Sequence, residues 1–268
     1  MLFKVSESKL RGEIQMTVDS NVVTDSDGGT INLGTIAGYD YDFTVDWGDG
    51  SAIETYTTPG CTHKFPVTAT GETYTVIING LIERLNTYDW NFDVTFWDYQ
   101  IGETNLKYVD LGPGVTVIGT DNYHVTFTEV VGAKLKRLYF RSGGINKSCL
   151  GSIINPTNLR TQSITDMSNM FNGSKLVSLD VSSWDTGNVT NMGAMFQTCW
   201  ALETINTDSW DVSKVTNMSW MFHRTQLITS NATEAWWDGS NPQITSYSLA
   251  FSYNTARPNY ASIPAGWK

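Results

Sequence analysis

Histidine and cysteine are scarce in this chain of 268 residues, with three of each. No apolar stretch approaches the ~20 residues that a membrane-crossing helix needs, so membrane insertion is not expected. The cysteines, Cys61, Cys149 and Cys199, are odd in number and scattered. They predict reduced, mostly buried thiols, and neither a disulfide framework nor a metal site. Basic residues are also few: 17 Lys and Arg face 27 Asp and Glu, a net charge of −10. Nucleic acid is therefore an unfavourable partner, because its binding is driven by cations displacing counterions. Anionic membranes are disfavoured on the same ground. The densest basic group, Lys134, Lys136, Arg137 and Arg141, reads as one solvated face.

Catalytic signatures are missing as well. His63, His124 and His223 are the only histidines, and no nucleophile elbow, phosphate loop, His-Glu-x-x-His or paired-cysteine metal motif occurs. The expectation is a chain with no catalytic residues, no cofactor and no metal ligand set. Carboxylates are plentiful enough to keep a glycosidase pair as a minor alternative. The opening Met1-Leu2-Phe3-Lys4-Val5-Ser6 shows no apolar core or cleavage site of a secretory signal. Without such a signal, the Asn-x-Ser/Thr matches at Asn146, Asn172, Asn188, Asn217 and Asn231 read as by-products of a polar repeat.

That repeat is the strongest pattern present. Thr-Asp-Met-Ser-Asn-Met-Phe at 165–171 returns as Thr-Asn-Met-Gly-Ala-Met-Phe at 190–196 and Thr-Asn-Met-Ser-Trp-Met-Phe at 216–222. Met167, Met192 and Met218 are 25 and 26 residues apart, and a fainter copy carries Ile244, Tyr247, Ala250 and Phe251. A fixed period of this length predicts a stack of small units, with a degraded copy closing the end. Leu176-x-x-Leu179-x-Val181 reads as a short strand. Val189-x-x-Met192-x-x-Met195-Phe196 has the spacing of a short helix, with Asn188 and Thr190 as candidate caps. The Met-x-x-Met-Phe column is expected to be core, since each buried Met or Phe contributes about 1.5–3 kcal/mol. Leu106-x-x-Val109-x-Leu111 and Leu135-x-x-Leu138-x-Phe140 repeat the strand spacing 29 residues apart, which extends the stack irregularly over 81–160.

Residues 12–79 differ in kind. Phe43, Val45 and Trp47 alternate with Thr44 and Asp46, Tyr74, Val76 and Ile78 alternate with Thr75 and Ile77, and turn formers such as Gly48-Asp49-Gly50-Ser51 separate the two runs. Period-two alternation predicts an antiparallel sandwich. Asp25-Ser26-Asp27-Gly28, and Asp46 with Asp49, invite a calcium reading, but Asp-Gly pairs more often build tight turns.

Val45-Asp46-Trp47-Gly48-Asp49-Gly50-Ser51, followed by Thr62-His63-Lys64-Phe65 and Thr73-Tyr74-Thr75-Val76-Ile77-Ile78, resembles the PKD domain, an immunoglobulin-like sandwich. The resemblance implies a spacer or binding module in which His63 packs beside the sheet and has no catalytic part. Leu179-Asp180-Val181-Ser182-Ser183-Trp184-Asp185-Thr186-Gly187-Asn188-Val189-Thr190-Asn191-Met192 resembles the BspA-type leucine-rich repeat of bacterial surface proteins, and Ser209-Trp210-Asp211-Val212-Ser213-Lys214-Val215-Thr216-Asn217-Met218 repeats it. That resemblance implies display outside a cell and a part in adhesion.

The fold expected is mixed: a PKD-like β-sandwich over 1–80, an irregular start of an α/β leucine-rich-repeat solenoid over 81–160, and BspA-type repeats with a degenerate cap over 161–268. Aromatic residues suggest where binding falls. Trp90, Trp97 and Tyr99 lie at the expected junction, and Trp184, Trp210 and Trp236 recur every 26 residues. Exposed aromatics suit interfaces; repeat-phased ones equally suit an internal packing ladder. The function expected is non-enzymatic recognition or structure, foremost as a component of a virion surface. There the partners would be capsid or tail proteins and a host glycan or protein. A bacterial cell-surface adhesin supplied without its leader and a virion cement protein are the alternatives. A homo-oligomer is a further expectation for an elongated virion protein, although no heptad seam specifies one.

Overall fold

The computed structural model describes residues 13–20, 30–33, 35–65, 72–86, 94–101, 108–111, 123–127, 136–140, 150–154, 156–226, 229–230, 236, 240–253 and 260–268. The N-terminal part forms β1 (Glu13–Ser20), β2 (Thr30–Asn32), β3 (Tyr41–Asp46), β4 (Glu54–Tyr56), β5 (Thr62–Lys64) and β6 (Glu72–Ile82). After these come β7 (Arg84–Asn86), β8 (Val94–Ile101), β9 (Tyr108–Leu111), β10 (Tyr123–Phe127), β11 (Arg137–Phe140) and β12 (Leu150–Ile154). The repeats add the two-residue β13 (Ser178–Leu179), β14 (Thr204–Ile205) and β15 (Thr229–Ser230).

Alternation places Tyr41, Phe43, Val45 and Trp47 inside, opposite the buried Tyr74, Val76 and Ile78 of β6. β1, β3 and β6 pair antiparallel, with Met16 opposite Val76 and Val45 opposite Ile78. A second, two-stranded antiparallel layer, β2 with β5, lies against this sheet: Phe65 stacks on Tyr74 at 4.4 Å and His63 on Trp47 at 4.5 Å. Between them, Gly48 sits at φ +74, where a Cβ would fall 2.4 Å from the Thr75 carbonyl oxygen. Only glycine allows that turn.

Strand β8 is a hinge in the topology. It pairs antiparallel with β1 and parallel with β10, so one sheet runs β12-β10-β8-β1-β6-β3-β4 and joins the N-terminal strands to the parallel ones. From there the chain climbs in parallel rungs. Arg84 pairs with Tyr108 and Tyr108 with Arg137. Bridges then continue through Asp166, Asn191, Asn217 and Ser246. Val109 stands opposite Leu138, as their 29-residue spacing would place two successive rungs. A second parallel column runs β8-β10-β12 and, after the Lys175 N–H donates to the Leu150 carbonyl at 3.1 Å, β13-β14-β15.

The core of the repeats is the column read from sequence. Met167, Met170, Met192, Met195, Met218 and Met221 are all buried. Phe140, Phe171, Phe196, Phe222 and Phe251 stack in succession at 5.3, 5.3, 5.4 and 5.5 Å. The helix expected over Val189–Phe196 does not form; among the described residues there is no α-helix. Apolar residues at i, i+3 and i+4 are turned inward here by consecutive tight turns, which share that spacing with a helix but send half of their N–H groups to the next rung. Thus Met195 N–H donates back to Met192 at 3.3 Å, while Phe196 N–H donates across to Met221 at 2.8 Å.

Candidate binding surface

Each turn segment is set by its first polar residue. The Oδ1 atoms of Asp166, Asn191 and Asn217 accept the N–H two residues on, at 2.8, 3.0 and 2.9 Å. These Asx turns divert the backbone from a helix. Asn217 Nδ2 also donates to Asn191 Oδ1 at 2.9 Å, tying rung to rung. The Thr190 and Thr216 hydroxyls donate to the carbonyls of Thr165 and Thr190, both at 3.1 Å.

The turns require left-handed backbone twice per rung. Asn169, Ala194, Trp220 and Leu249 form one such column, with φ of 57, 56, 63 and 57°. Gly173, Thr198, Arg224 and Tyr253 form the other, with φ of 75, 58, 57 and 61°. A left-handed residue other than Gly or Asn costs roughly 1–2 kcal/mol. The first rung meets this demand with Asn169 and Gly173. The last two meet it with Trp, Arg, Leu and Tyr, which project outward: Trp220 is 43% and Tyr253 69% exposed.

Four side chains converge there. Trp220 lies 5.3 Å from the His223 ring, and His223 meets Tyr253 edge to face at 5.6 Å. The Arg224 guanidinium sits 5.2 Å over the Tyr253 ring. His223 is itself buried, and its Nδ1 contacts Ser252 Oγ. Burial, reinforced by the neighbouring Arg224 charge, holds its imidazole below the usual histidine range. The turn segments 167–174, 192–199, 218–225 and 247–253 contain no Asp or Glu, although the chain has 27.

The tryptophans expected from their 26-residue period are not at the surface. Trp184, Trp210 and Trp236 are 3, 7 and 3% exposed. Trp184 stacks on Phe171 at 5.9 Å and Trp210 on Trp236 at 6.5 Å, so they extend the core as a packing ladder. Trp97 and Tyr99 stand two apart on β8, opposite Val18 and Met16 of β1, and only their backbone is described. Trp90 lies outside the described residues, as do Cys149 and the Asp25-Ser26-Asp27-Gly28 segment; His124 is described by its backbone on β10.

Asp46 and Asp49 are occupied as turn acceptors. Asp46 Oδ1 takes the Gly48 N–H and Asp49 Oδ1 the Ser51 N–H, each at 3.0 Å. Asp49 Oδ2 is 2.8 Å from His63 Nε2. Burial opposes ionisation of Asp49, but the bonds from Ser51 and His63 outweigh it and hold its carboxyl below the usual range. His63 is thus clamped between Trp47 and Asp49 as a packing element. Among the described residues no group of three His, Cys, Asp or Glu is placed to hold a metal ion. Cys61 and Cys199 are free and buried, and burial pushes the Cys199 thiol up to about 11.

Residues 143–260 match the family model described as "Mycoplasma protein of unknown function, DUF285". That stretch takes in the repeats read as BspA-type and is consistent with them. No curated protein and no solved structure matches the chain. The corner residues Trp220, Arg224 and Tyr253 were missed from sequence. The available signal was negative: Trp220 occupies the Asn169 and Ala194 position of a motif whose Thr, Met and Phe positions are constant.

Proposed function

We propose that this chain is a non-enzymatic recognition protein displayed outside a cell or particle, whose C-terminal repeats hold a binding corner away from an N-terminal spacer. In this reading the two antiparallel layers around Trp47 are the immunoglobulin-like, PKD-type module. The parallel rungs are a BspA-type leucine-rich-repeat solenoid built from turns. One observation carries it: repeats three and four place Trp220, Arg224, Leu249 and Tyr253 in left-handed backbone. Stability alone favours Gly or Asn there. Strain kept at an exposed aromatic cluster is a mark of function. A virion surface and a bacterial surface both remain settings for such a protein, and the family description names neither.

The test is adhesion. Beads coated with the full chain should attach to at least one cell type in a panel of epithelial and bacterial cells. The double variant Trp220→Asn/Tyr253→Asn should lose that attachment. Attachment unaffected by the double variant, or none by the wild type, contradicts the proposal.

A further inference from the structure

Resting on the recognition reading, we infer that the Trp220–Arg224–Tyr253 corner binds a carboxylated pyranose, the acidic sugar unit of a glycan. Three features converge on this chemistry. Trp220 and Tyr253, 43 and 69% exposed, bring aromatic faces together around His223, with one face of Tyr253 taken by the Arg224 guanidinium. Such faces take the C–H face of a sugar ring at little side-chain entropy cost. Hydroxyl groups lie on the same two rungs: Ser219 Oγ, next to Trp220 in the chain, is 2.8 Å from Ser246 Oγ.

Charge then selects among sugars. Arg224 is exposed and among the described residues makes no ion pair; its guanidinium lies over the Tyr253 ring. It stands in turn segments empty of carboxylates, on a chain of net charge −10. A guanidinium on an aromatic face suits bidentate contact with a carboxylate. Elsewhere the acidic surface would repel an anionic glycan, so the charge pattern directs it to this corner. Uronic and sialic acids both carry the required group.

Calorimetric titration of the full chain with sialyllactose, a hyaluronan tetrasaccharide and neutral lactose tests the inference. At least one acidic sugar should bind, and lactose should bind about tenfold more weakly or worse. Which acidic sugar binds identifies the source. Arg224→Asn, which suits left-handed backbone, should bring the acidic sugar down to the lactose level. Wild-type affinity should also fall as salt is raised, a readout that requires no variant. Lactose binding as tightly as the acids, no binding of either acid, or affinity indifferent to both Arg224→Asn and salt overturns the inference. If the sugars fail while Trp220→Asn/Tyr253→Asn still abolishes cell adhesion, the ligand class falls and the recognition reading stands.

Discussion

At the scale of single residues, the repeats separate two kinds of position. Spine positions repeat because packing repeats: Phe171, Phe196 and Phe222 lie 5.3, 5.4 and 5.5 Å from the next ring. Phe196 has such a neighbour on both sides, so Phe196→Ala opens a cavity bounded by two rings. A loss of about 3–5 kcal/mol is expected in urea unfolding. A loss below about 1 kcal/mol would mean that the ladder collapses to fill the gap. These positions were legible in the sequence because burial demands the same side chain every rung. The corner positions were not legible as a surface. Left-handed backbone leaves no mark on a residue's chemistry, and only Asn169 and Gly173 are of the types that usually adopt it.

At the scale of elements, the same apolar spacing served two structures. Met192, Met195 and Phe196 fit one helical face, and the helix was the natural expectation. The deciding feature was polar. Asn191 bends the chain by accepting the Gly193 N–H, and its amide ladder with Asn217 fixes one rung on the next. Asn217→Ala removes both the Ser219 acceptor and the inter-rung amide bond. At about 0.5–1.5 kcal/mol per hydrogen bond, a loss of about 1–3 kcal/mol is expected in the same unfolding measurement. An unchanged midpoint would show that the bridges, and not the amides, set the register. The strands of the N-terminal part were easier to read, since β3 and β6 alternate cleanly. The shared sheet through β8 was not legible, because pairing partners about 80 residues apart leave no local signal.

At the scale of the molecule, the stack needs an end. Its last rung is covered by the C-terminal 3-10 turns Tyr260–Ser262 and Ala265–Trp267. Phe251 N–H donates to the Trp267 carbonyl at 2.8 Å, taking the partner that another rung would have supplied. Trp267 also stacks on Tyr247 at 4.7 Å. Removing residues 263–268 would expose Phe251 and an unpaired edge. Such a truncation should lower the melting temperature and associate with rising concentration in sedimentation. A monomer with unchanged melting would show that the faded fourth repeat closes the stack unaided. The sequence foresaw a degraded terminal repeat but not this added cap, since nothing in residues 260–268 resembles a rung.

On the proposed reading, the invariance of the repetitive spine serves stability and its departures at the corner serve recognition. The melting temperature of Trp220→Asn/Tyr253→Asn tests that division most directly. Both residues sit in left-handed backbone that Asn tolerates better, and both are substantially exposed. The account predicts a melting temperature equal to or above that of the wild type. A fall of several degrees would show that these aromatics hold the stack together, and would contradict their assignment as a surface kept for binding.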